Sequence, residues 1–267
     1  MAKKKRNAPP AGGATPSPRP APVAPPPAAS PAARHTGTRA AATGLPLPTE
    51  GLKGDWTVAL LALMMFLAPA LGVPNELMLQ DTLKSIVVSF AVLAAALFFF
   101  WNQRNRDTAL RWHALVWLPL MLTLYALGSM VWSHTYLAGV EAIRWFIFAL
   151  IVWLGLNTLD RERMPLLAWG IHTGAFVASL WTALQFWTDM SFFPQGPNPA
   201  STFVNRNFFA EFLVCTLPVS VWLLVRARNS ATVALLAFSL GFNLVAMFMT
   251  GTRSALLALL ALAVVTP

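Results

Sequence analysis

The run SIVVSFAVLAAALFFFW, Ser85 to Trp101, holds seventeen residues without a single charge. At about 1.5 Å of rise per residue, a helix of that length approaches the roughly 30 Å hydrocarbon core of a bilayer. Lipid supplies no hydrogen-bond partners for backbone N–H and C=O groups, so a spanning segment of this kind has to be helical. Six further runs have similar character: Trp56–Val73, Trp112–Trp132, Val140–Asn157, Pro165–Trp187, Phe208–Val225 and Ala231–Met249. Trp and Tyr gather near the ends of several, where amphipathic rings favour the headgroup zone. An eighth run, Ser254–Val265, offers only twelve apolar residues, and a full span needs roughly twenty. The chain is therefore expected to be an all-α, polytopic transmembrane bundle of seven or eight helices, and it reads as the N-terminal portion of a longer helical protein.

Composition agrees. Apolar residues make up 57% of the chain and charged ones 11%, the latter about half the share of soluble domains. A net charge of +9 could suggest a nucleic-acid partner. The distribution argues against one, because the basic residues sit in the N-terminal tail and in short loops between apolar runs. Residues 1–51 are Ala/Pro-rich and open with Lys3, Lys4, Lys5 and Arg6. Such a stretch has too little apolar surface to offset chain entropy, so it is expected to be a disordered tail preceding a helical domain at 52–267. Its basic cluster could touch anionic lipid weakly. The first apolar run begins too far into the chain for a secretory signal peptide.

Loop charge sets the expected orientation. Alternate connections carry Arg104, Arg106 and Arg111, then Arg161 and Arg163, then Arg226 and Arg228. The intervening connections carry Glu76 and Asp81, then His134 to Glu141, then Asp189 to Asn205, with Lys84 their one clear cation. Positive loops stay inside, which puts the N-terminus in the cytoplasm and, in a bacterial cell, the second set of loops in the periplasm.

Polar residues at membrane depth are costly and mark either internal partners or function. Glu141 and Arg144, three apart, share a helix face and can pair. His172 and Gln185 read most simply as interhelical hydrogen-bonders. Glu211 suits either an internal partner for an arginine or a site role. Cys215 is the sole cysteine, so an intramolecular disulfide and a cysteine metal cluster are both excluded.

Two stretches hold more information. Gly196 to Phe212, GPNPASTFVNRNFFAEF, is a Pro/Asn-rich loop running straight into a helix. Asn205 or Asn207 can cap that helix, and its free N–H groups beside Arg206 make an anion site. The plainer reading is a capped helix start with an arginine reaching the interface. Met249 to Leu256, MTGTRSAL, places Arg253 in the next outer connection, against the positive-inside trend. A guanidinium there, with hydroxyls from Thr250, Thr252 and Ser254, suits bidentate recognition of phosphate. The alternative is an arginine that only reaches lipid headgroups.

Together these stretches resemble the O-antigen ligase and Wzy-type polymerase superfamily. The first motif reads Ser201-Thr202-Phe203-Val204-Asn205-Arg206-Asn207-Phe208-Phe209-Ala210 and the second Thr250-Gly251-Thr252-Arg253-Ser254-Ala255. Gly128 to Ser133 is similar to the family's Trp-Ser helix end. Arg206 stands where members often have proline, and Ser254 replaces a common glycine. The family's large periplasmic loop, with further arginine and histidine residues, has no counterpart here. The resemblance implies a membrane glycosyltransferase of the bacterial inner membrane. It would move glycan from undecaprenyl-pyrophosphate to a periplasmic acceptor, such as lipid A core, a protein or a growing polysaccharide, without a metal or other cofactor. It implies Arg253 as the catalytic contact to the pyrophosphate. Arg206, Asn205, Asn207, Ser201, Thr252 and Glu211 are then the substrate-binding candidates. His134 and Glu211 lie on the same expected side but match no motif. The rival readings are a transporter or flippase of an anionic lipid-linked substrate and a non-catalytic membrane remnant.

Overall fold

The computed structural model describes residues 56–75, 80–104, 109–133, 135–188, 190, 192–193 and 199–265; the expected tail at 1–51 lies outside these. Among the described residues the chain is all helix: α1 Trp56–Ala70, α2 Gln80–Gln103, a 3-10 turn Ala114–Val116 leading into α3 Trp117–Ser133, α4 Leu137–Thr158, α5 Met164–Thr188, α6 Arg206–Arg226, α7 Ser230–Met249 and α8 Arg253–Val265. Six of them, α2 to α7, are long and apolar enough to cross a membrane, counting the 3-10 turn with α3. The two shorter ones are α1 and α8, with 15 and 13 residues. The result is a polytopic transmembrane helical bundle.

The helix ends depart from the apolar runs for local reasons. α1 stops at Ala70 rather than Val73, just before Gly72 and Pro74. Its connection to α2 is closed by the buried Gln80, whose side chain accepts from Val73 N at 2.9 Å and donates to Val73 O at 2.6 Å. That clamp starts α2 five residues before Ser85, so Asp81 and Lys84 lie on the helix and not in a loop. Near α3, His113 Nδ1 accepts from Leu115 N and a 3-10 turn follows. The α-helix itself begins at Trp117, which puts Pro119 in its first turn, where a missing N–H costs least. Asn205 caps α6, accepting from Asn207 N at 2.9 Å, so α6 begins at Arg206, before Phe208. Arg253 is the first residue of α8 rather than part of a connection, because Gly251, at φ +65°, reverses the chain in one step. A left-handed φ of that kind is open to glycine at little cost.

The helices form two groups joined by α5. α1 packs on α2 and α5, α2 also meets α4, and α3 lies on α4; α5 packs on α6 and α7, and α8 rests on α6. The α1–α5 contact is made by backbone. A Cβ added at Gly170 would collide with the Ala62 carbonyl oxygen, and one at Gly174 would lie 2.7 Å from that of Met65. Ala178, one turn further along, is fully buried. Small residues every fourth position let two helices approach until their backbones touch, the kind of packing lipid-embedded helices depend on. On another side of α5, His172 sits between Ser220 of α6, with Nδ1 and Oγ 2.9 Å apart, and Ser239 of α7, with Nε2 and Oγ 2.8 Å apart. A neutral imidazole donates to one hydroxyl and accepts from the other, so the expectation of an interhelical hydrogen-bonder is met.

Replacing Gly174 with leucine drives a side chain into the α1 backbone and is expected to cost at least about 3 kcal/mol, the upper range for overpacking. Gly241 has nothing within 4 Å of an added Cβ. Gly241→Ala should therefore be neutral or stabilise by up to about 1 kcal/mol. Thermal unfolding of the purified variants checks both, and equal effects at the two glycines would contradict the close-packed seam.

Candidate functional site

The end of α1, the start of α2, the α5–α6 connection and the α7–α8 turn meet at one end of the bundle, and both motif stretches lie there. The first is anchored from α5. Gln185 Oε1 accepts from Ala200 N at 3.0 Å and Ser201 N at 2.7 Å, while its Nε2 donates to Ser201 O at 2.8 Å. Ser201 Oγ donates to the Ala178 carbonyl at 2.6 Å. These bonds hold Ser201, fully buried, at φ +60°, a left-handed conformation that a residue with a Cβ rarely adopts. Gln185 thus joins its helix to a loop backbone. Ser201 sits at the centre of that joint, with its hydroxyl already engaged.

The next residue ties the loop to α1 and α2. Thr202 Oγ1 donates to the Pro69 carbonyl at 2.7 Å and accepts from Lys84 Nζ at 2.9 Å. Lys84 also donates to the Ala68 carbonyl at 2.8 Å and reaches toward that of Leu71 at 3.4 Å. Its ammonium stands 4.5 Å from the centre of the Phe203 ring, within cation–π range. Phe203 in turn meets the rings of Phe209 and Phe212. Lys84 was not among the expected site residues, yet it ties the Thr202 hydroxyl and the Phe203 ring of the first motif to carbonyls at the end of α1. The signal was available, since a cation in a loop that should be poor in cations needs a reason to be there.

The second motif is joined to the first through Asn207. Thr252 Oγ1 donates to Asn207 Oδ1 at 3.2 Å. Behind it the buried Thr250 fixes the turn, with its Oγ1 3.0 Å from Thr252 Oγ1 and donating to the Met247 carbonyl at 2.7 Å. Below the joint, Phe209, Ala210 and Leu213 of α6 pack with Met247 of α7 and Ala255 of α8. The starts of α6 and α8 are thereby set side by side. Arg206 and Arg253, each the first residue of its helix, are exposed. Two helix N-termini, each headed by an arginine, lie side by side here, and free N–H groups beside a guanidinium can receive an anion.

The remaining candidates are placed less directly. Glu211, one turn beyond Asn207, is exposed and has no ion-pair partner among the described residues, so the arginine partner allowed for it is not seen. Glu141 and Arg144 do pair, at 2.6 Å, on a half-exposed face of α4. The Trp-Ser stretch ends α3, where Met130 lies against Gly139 of α4. His134 lies outside the described residues. Among those described, no cluster of three or more His, Cys, Asp or Glu could hold a metal ion.

Gln185→Leu would strip partners from the buried backbone groups of Ala200 and Ser201, at about 1–3 kcal/mol for each group left unpaired. A clear fall in the thermal midpoint is expected, whereas Thr188→Val, which removes an exposed hydroxyl bonded only to its own helix, should leave it nearly unchanged. An unaltered midpoint in Gln185→Leu would mean the loop is held by something else.

No family model, no curated protein and no solved structure matches this chain, so its reading rests on the residues just described.

Proposed function

We propose that this protein is a membrane glycosyltransferase of the O-antigen ligase and polymerase type. In this reading it transfers glycan from an undecaprenyl-pyrophosphate carrier to a glycolipid or protein acceptor at the periplasmic face of the bacterial inner membrane, with its N-terminus in the cytoplasm. The observation that carries the proposal is the Asn207–Thr252 hydrogen bond. It unites two motifs lying 45 residues apart and brings the helix ends that bear Arg206 and Arg253 to one place.

The chemistry fits such a place. Cleaving a glycosyl pyrophosphate leaves negative charge on the departing diphosphate, and fixed cationic donors lower the barrier when they meet that charge as it develops. Arg253 is assigned this contact, because guanidinium forks engage phosphate oxygens in pairs and stay charged at any physiological pH. Arg206 and the amide of Asn207 flank it. Thr252, Ser201 and Lys84 act through position, holding the turn and the loop. The acceptor hydroxyl also needs a general base; none of the residues placed here is assigned that role.

One observation favours the transporter reading. Asn243 of α7 is 1% exposed, stands one turn beyond Ser239 on the same helix face, and has no partner for either side-chain polar atom among the described residues. Together with His172, Ser220 and Ser239 it makes a polar seam inside the bundle, and such seams can mark a pathway. A flippase built on it would lose lipid translocation in Asn243→Leu.

The test is transfer of glycan from a lipid-linked donor, in membranes of cells expressing the whole gene product. Arg253→Ala is expected to lose about a hundredfold or more in rate, the effect of removing one oxyanion-stabilising donor, with membrane insertion intact. Transfer at the unsubstituted rate by Arg253→Ala would remove that residue from the site. Absence of transfer by the unsubstituted protein, with translocation lost in Asn243→Leu, would replace the enzyme by the transporter.

A further inference from the structure

The opposite end of the bundle holds a second construction, unrelated to glycan transfer. Between the starts of α5 and α7 and the end of α6 lies a cavity of about 400 Å3, bordered by Trp169, Trp222, Arg226, Arg228, Asn229 and Thr232. Arg226 stacks its guanidinium 4.7 Å from the centre of the Trp222 ring. Neither Arg226 nor Arg228 has an acidic partner among the described residues. Asn229 caps α7 with its side chain, accepting from Ala231 N at 3.1 Å. Thr232, 4% exposed, lies at the edge of the cavity, and its hydroxyl has no partner among the described residues. Polar groups so deeply buried are nearly always bonded, so one without a partner points to something that completes it.

A second cavity shares the Trp222 wall. It occupies about 240 Å3 between α5 and α6, bordered by Met164, Leu167, Ile171, Pro218, Val219 and Trp222, all of them apolar. A cationic pocket at a helix end, separated by the Trp222 wall from an apolar cleft along two spanning helices, matches one kind of molecule. We infer that the two cavities bind an anionic phospholipid, with its phosphate between Arg226 and Arg228 and an acyl chain in the α5–α6 cleft. Basic pockets between spanning helices bind anionic headgroups by this combination of charge and burial. The position of Trp222 is what links them, because one face carries Arg226 and the ring borders both spaces. A site built for free phosphate would need the first cavity alone, so the apolar cleft is what favours a lipid.

The experiment titrates the purified chain in neutral detergent with phosphatidylglycerol, phosphatidylcholine or inorganic phosphate and follows thermal unfolding. Phosphatidylglycerol is expected to raise the midpoint saturably, and the other two to leave it unmoved. Each arginine replaced by glutamine should raise the half-saturating lipid concentration about fivefold, at the rate typical of a basic residue near an anionic headgroup. The double variant Arg226→Gln/Arg228→Gln should then shift it roughly 25-fold. If the double variant does not fold, Arg228→Gln alone keeps the test, since that side chain is exposed. Arg104→Gln, at the end of α2 and stacked on Trp101, should change nothing. An equal rise with inorganic phosphate would make this a phosphate site without a lipid. An equal rise with phosphatidylcholine, or an unshifted titration in the variants, would overturn the assignment.

Discussion

Gly170 and Gly174 let α5 lie directly on the backbone of α1, and the placement of the rest follows from that contact. With no side chain between them, α1 meets α5 through its carbonyls at Ala62 and Met65. Lipid offers little hydrophobic drive for helices to associate, so close packing and interhelical hydrogen bonds have to supply it. α5 provides both, with the glycine face toward α1 and His172 toward α6 and α7. The helix that no loop motif would single out is the one to which both halves of the bundle attach.

The same helix places the candidate site. Ala178 continues the small-residue line and accepts the Ser201 hydroxyl; Gln185, two turns on, holds the backbone on either side of it. Thr202 then reaches Pro69 at the end of α1, so the loop is secured to the two helices that the glycines bring together. Lys84 adds α2 to the joint. A loop fixed at so many points can hold Ser201 in an unfavourable backbone conformation and present the start of α6 in one orientation. Preorganisation of this kind is what a site needs if its dipoles and cations are to meet developing charge without rearranging.

Much of this was legible in the sequence, for reasons that also explain what was not. Uncharged runs report bilayer length, so six spanning helices and their order were readable from apolar length alone, while the first run, Trp56–Val73, yields a helix of only 15 residues and falls short of a span. Their ends were not, because ends are decided by single side chains: Gln80 clamping Val73, Asn205 capping α6, Pro119 needing a first turn. The pairing of the two arginine-bearing stretches was suggested by resemblance, while the Asn207–Thr252 contact between them depends on how α6, α7 and α8 pack. Gly170 and Gly174 were in plain view four residues apart, but an apolar count gives a glycine no special weight. Lys84 was visible as a misplaced cation; its three oxygen acceptors come from the end of α1, the residue just after it and the loop before α6, and sequence spacing does not reveal such neighbours.

The proposed site requires the starts of α6 and α8 to lie side by side. Cysteines at Asn207 and Thr252, in a chain whose Cys215 is replaced by alanine, test it most directly. Mild oxidation in intact membranes should join them within one chain, detected as a thiol count reduced by two and a bond that reductant reverses. A pair at Asn207 and Ser230, at opposite ends of the bundle, should stay reduced. If the first pair remains as free as the second, the two motifs do not meet, and both the site and the function proposed for it fall.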